Sequence, residues 1–79
     1  MRELGWKAHT WNRAVEAAKA KRDGKQHVVE MWKSSALFCG TWYTAFVDGV
    51  REAGEKLLAT GTRSLLRREI ITAEKGGAE

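Results

Sequence analysis

The sequence predicts an all-α protein: a small helical hairpin or three-helix arrangement around one long amphipathic central helix. Three observations carry that prediction. The stretch from Val28 to Leu58 holds a stripe at steps of three or four residues, formed by Val28, Trp32, Ser35, Cys39, Trp42, Phe46, Val50, Ala53 and Leu57. At about 100° per residue these positions fall within an arc of roughly 80°. An alanine-rich segment around Trp11, Ala14, Val15 and Ala18 precedes it, and alanine is the best helix former. The 79 residues contain no proline, the commonest helix breaker.

Taken in order, Leu4, Trp6 and His9 show no clear period, and Trp6 is expected to dock on the domain. A first helix is predicted over about 10–22, with Thr10 as its N-cap. Asp23-Gly24 supplies turn chemistry. The long helix is predicted over about 26–59 and ends at Ala59-Thr60-Gly61. Its far side collects Glu30, Lys33, Ser34, Thr44, Asp48, Arg51, Glu52 and Glu55. Gly40, Gly49 and Gly54 lie awkwardly inside it, and close packing against a partner helix is the expected reason. Two alternatives are a break near Gly40 or Gly49 and a strand over 41–48, which Thr41-Trp42-Tyr43-Thr44 permits. The unbroken stripe argues against both. A third helix is predicted over about 62–74 with Leu66, Ile70 and Ala73 inward, and 76–79 is a frayed tail. The whole is one small domain.

Net charge is +4, unevenly placed: residues 1–33 hold eight Lys/Arg against four Asp/Glu, and residues 34–79 hold six against six. Cys39 is the sole cysteine, so an intrachain disulfide or thiolate metal cluster is excluded. The first residues, Met1-Arg2-Glu3-Leu4-Gly5-Trp6-Lys7, lack the apolar core of a signal peptide, and a cytoplasmic location is expected. Residues 34–47 carry no charge but are shorter than the ~20 residues a spanning helix needs.

Catalytic patterns are missing. There is no HExxH, Walker loop, GxGxxG, paired-cysteine zinc pattern or GxSxG. His27 and Cys39 would stand about 18 Å apart on one helix. Asp48, Glu52 and Glu55 read as a solvated face interleaved with Arg51 and Lys56. No enzyme, cofactor or metal site is expected.

The expected function is therefore a small protein–protein interaction protein, an accessory subunit or an inhibitor that occludes a partner's surface. Its interface would comprise Trp32, Leu37, Phe38, Gly40, Trp42, Tyr43, Phe46 and Gly49. The wide apolar face of so short a chain also predicts a homo-oligomer. One alternative is a basic helical module contacting nucleic-acid phosphates through Arg13, Lys19, Lys21, Arg22 and Lys25, with Arg63, Arg67 and Arg68 as a second patch. Another is a protein lying on a membrane surface through Leu37 and Phe38.

Overall fold

The computed structural model describes residues 2–36, 40–54 and 62–75, with residues 2–6 described through their backbone. One helix, α1 (Arg2–Lys19), is followed by four strands: β1 (Gln26–Ala36), β2 (Gly40–Val47), β3 (Val50–Gly54) and β4 (Thr62–Thr72). The strands form one antiparallel sheet in the order β3-β2-β1-β4. The all-α expectation is thus overturned. The proposed long helix is three strands, and the proposed third helix is β4. The N-terminal helix is real but begins near Arg2, so Thr10 lies in its interior, fully buried, rather than capping it.

The period-2 signal explains the strands. Along β1, burial alternates through His27, Val29 and Met31, with Val28 and Glu30 between them less covered. Valine, methionine and tryptophan on such a pattern suit a sheet buried on one side. Val47-Asp48-Gly49-Val50 then makes a two-residue hairpin. Asp48 has φ +52° and Gly49 φ +83°, the pair of left-handed residues that a tight β-hairpin with type I′ geometry requires. An Asp-Gly pair between apolar residues signals a hairpin strongly, and here it outweighs a helical stripe that packing does not use.

Register assigns the two faces, because directly opposed residues share one. Val29 faces Val47 and Met31 faces Ala45 across β1 and β2. These four residues join Trp11, Ala14 and Ala18 of α1 in the core, with Val15, Tyr43 and Ile71 packed against them. The small alanines let the helix approach the sheet, which it meets chiefly at β2 and β3. At the β4 side, the Arg67 guanidinium closes the layer by sitting 4.2 Å from the centroid of the Trp11 ring, a contact worth about 0.5–1 kcal/mol at an exposed site. Two bulges interrupt the ladders, between Met31 and Trp32 against β4 and between Ala45 and Phe46 against β3.

Candidate functional site

The face of the sheet turned away from α1 gathers three of the four aromatic side chains described outside the helix. By alternation from the core positions it carries Val28, Glu30, Trp32 and Ser34 on β1 and Trp42, Thr44 and Phe46 on β2. The cross-strand pairs are Glu30 with Phe46, Trp32 with Thr44 and Ser34 with Trp42. On the other side of β1, Arg68 faces Glu30, Leu65 faces Trp32 and Arg63 faces Ser34. Trp32, Trp42 and Phe46 are each half-buried, while Thr44 between them is fully covered. The rings lie over the sheet with part of each ring surface still open to solvent.

A groove of about 230 Å³ is lined by Glu30, Trp32, Phe46, Gly49 and Arg63. The indole Nε1–H of Trp32 donates to Glu30 Oε1 at 3.2 Å, which fixes the ring along its own strand. Glu30 Oε2 also lies 3.5 Å from Arg68 Nε. The groove therefore offers two aromatic walls, one carboxylate acceptor and a guanidinium. Beside it, the buried hydroxyl of Ser34 has no hydrogen-bond partner among the described residues, and its strand neighbours are Trp42 and Arg63. A buried hydroxyl left so costs about 1–3 kcal/mol.

The interface residues expected from sequence are divided by this arrangement. Trp32, Phe46 and Gly49 come together in the groove, and Trp42 stands on the same face. Tyr43 points the other way and packs on the core, and Gly40 is an exposed residue at the start of β2. Leu37 and Phe38 lie outside the described residues, as do Trp6 as a side chain, Cys39, Glu55 and the predicted tail. The packed partner helix invoked for the glycines is unnecessary. Gly49 is in a turn, and a Cβ on Gly54 would run into the Tyr43 carbonyl oxygen and come within 2.8 Å of Thr44 Cα.

The basic residues are also divided. Lys19 ends α1, and Lys21, Arg22 and Lys25 occupy the exposed turn leading to β1. That turn lies near the groove's Gly49 end, since the His27 imidazole bridges Asp23 of the turn to Asp48, the neighbour of Gly49. Arg13 is elsewhere. It lines a second cleft of about 370 Å³ between α1 and β3 with His9, Thr10, Arg51, Glu52, Ala53 and Gly54. Arg51 there donates through Nη1 to the Gly54 carbonyl at 3.1 Å.

Sequence reasoning missed the grouping of Glu30, Arg63 and Arg68 with the aromatics, which depends on strand pairing between distant segments. It also missed the role of His27, which is buried and hydrogen-bonded to Asp48 and Asp23. Among the described residues no group of three His, Cys, Asp or Glu side chains is placed to hold a metal ion. None of the described helices is long and apolar enough to cross a membrane.

Fold and site together define a small α+β protein with a helix on one sheet face and an aromatic–arginine surface on the other. Comparison with known protein families, curated proteins and solved structures finds no match.

Proposed function

We propose that the open sheet face binds single-stranded nucleic acid. The observation that carries this reading is the juxtaposition of Trp32 and Phe46 with Arg63 in one groove, continued by Trp42 on the same face. Sequence-tolerant binding of single strands combines aromatic side chains, on which bases stack, with cations that track the backbone; each stacked base contributes about 1–3 kcal/mol. Trp42 and Phe46 are four residues apart on β2, about 14 Å at the usual rise, with Trp32 between them on the neighbouring strand. That spacing suits consecutive bases splayed across a sheet. Arg63 and Arg68 flank the rings as phosphate partners, and the Glu30 carboxylate stands where it can accept from an exocyclic base amine. The exposed Lys21, Arg22 and Lys25 extend the positive field beyond Gly49.

The reading moves nucleic-acid contact from a basic helical hairpin to the sheet, and it makes the basic turn an accessory. The test is fluorescence anisotropy with labelled short single-stranded DNA, single-stranded RNA and duplex DNA of mixed sequence, over a series of salt concentrations. Single strands should bind more tightly than duplex. Trp32→Ala and Phe46→Ala should each weaken binding about tenfold or more, and Arg63→Ala should lower the salt slope by about one. Equal binding of duplex and single strands, unchanged by the aromatic substitutions, would overturn the proposal; so would no binding at low salt. The DNA and RNA arms decide which strand is preferred.

A further inference from the structure

The two edges of the sheet differ. β3 is five residues long and packed beside α1, features that protect an edge from adding another strand. β4 is eleven residues long, bulged at Leu66 and, among the described residues, hydrogen-bonded along one side alone, to β1. It also carries large exposed apolar side chains: Leu65 at 43%, Leu66 at 38% and Ile70 at 61%. A long strand edge with an unpaired row of amides and carbonyls is a template for a further strand.

From this contrast we propose that β4 pairs antiparallel with β4 of a second copy of the chain, joining two sheets into one of eight strands. The occupant is argued from the charge pattern of the edge itself. When Arg68 faces its own counterpart, Arg67 of each copy faces Glu69 of the other, a pair that occurs twice. Sliding the register by two residues one way opposes Arg67 to Arg67; sliding it the other way opposes Glu69 to Glu69. Moves of one residue would put opposite faces together. The chosen register thus sets two Arg67–Glu69 ion pairs around a single Arg68–Arg68 contact. The central Arg68 residues each keep Glu30 of their own chain beside them at 3.5 Å. Arg67 and Glu69 already meet within one strand, Nη2 to Oε2 at 2.8 Å, with the Arg67 guanidinium over the Trp11 ring. A two-fold axis normal to the sheet leaves both open faces on the same side. The dimer would then present two aromatic–arginine grooves on one continuous surface, although the pairing itself does not rest on nucleic-acid binding.

Sedimentation equilibrium of the free chain at micromolar concentration tests the pairing. Wild type should be a dimer. Glu69→Arg, which sets like charges across the edge, should weaken the dimer about tenfold or more with an unchanged circular dichroism spectrum. In a Cys39→Ser background, Arg68→Cys should form an intermolecular disulfide on mild oxidation, because the register brings position 68 of the two copies together. A monomer at every concentration would overturn the proposal. So would a dimer indifferent to Glu69→Arg that fails to cross-link at position 68, or association with another protein through β4 in place of a second copy. No nucleic acid enters these measurements, so their failure leaves the sheet-face reading standing.

Discussion

His27 Nδ1 lies 2.6 Å from Asp48 Oδ2, joining the start of β1 to the β2–β3 turn. The same carboxylate accepts the Val28 N–H through Oδ1 at 3.0 Å, and the Asp48 N–H donates to the Val28 carbonyl at 2.9 Å. The other ring nitrogen, Nε2, stands 3.1 Å from both oxygens of Asp23 in the α1–β1 turn. One imidazole therefore ties together three parts of the chain. Its protonated form, which donates from both nitrogens, is the form this geometry favours.

Stability should consequently depend on pH in two directions. The hydrogen bond to Asp48, and next that to Asp23, raises the His27 pKa above its ordinary 6.5. That contribution is complete below pH 6.5 and is lost as pH rises through the raised folded value. The His27 hydrogen bond is in turn the largest cause lowering Asp23 and Asp48 below their ordinary 3.8. Their contribution is complete above that value and is lost as pH falls through the lowered ones. Thermal unfolding between about pH 3 and 9 should give a Tm plateau between the two ordinary values, falling on either side. In His27→Gln the alkaline fall should disappear. An alkaline fall of equal size in wild type and variant would remove the imidazole as its cause.

The two glycines that bound β3 should respond differently to alanine. Gly49 has open space around it, so Gly49→Ala meets the left-handed backbone cost alone, about 1–2 kcal/mol. Gly54, at φ +95°, adds a collision with the backbone of Tyr43 and Thr44 and should lose more. Urea unfolding of the two variants checks the order. Equal losses would mean that the close approach of β3 to β2 is relaxed at no cost.

Core and open face should separate stability from binding. Met31 is 1% exposed, and Met31→Ala should destabilise by about 2–5 kcal/mol. Phe46 is half-buried on the open face, so Phe46→Ala should cost less stability and more affinity for single strands. Denaturant unfolding paired with anisotropy reads both quantities. A Phe46 variant as unstable as the Met31 variant, with binding intact, would place Phe46 among the core residues.

These contrasts show what was legible in the chain. The alanines and Trp11 marked the first helix because their spacing of three and four residues is the one that packs. Asp48-Gly49 was equally legible as a hairpin, and the alternation of Val29 and Met31 around Glu30 supported it. The stripe from Val28 to Leu57 concealed both, since Trp32, Trp42 and Phe46, which share the open face of the sheet, also fall on one side of a helical wheel. Trp42 and Tyr43, adjacent in sequence, sit on opposite sheet faces, as a strand and not a helix requires. The groove could not be read at all without pairing, because Arg63 reaches Trp32 and Phe46 through the alignment of β4 with β1.

The most direct test of the open face as the binding surface uses its own tryptophans. Two-dimensional proton–nitrogen NMR of the labelled chain, titrated with a short single-stranded oligonucleotide, reports each indole N–H separately. Trp32 and Trp42 lie on the open face, and Trp11 is buried on the inner face of α1 with Arg67 over its ring. The indole signals of Trp32 and Trp42 should move together with the amides around Phe46 and Arg63, while the Trp11 indole stays in place. Shifts confined to Lys19, Lys21, Arg22 and Lys25, or to Trp11 and the helix, with the Trp32 and Trp42 signals unmoved, would contradict a nucleic-acid site on this sheet.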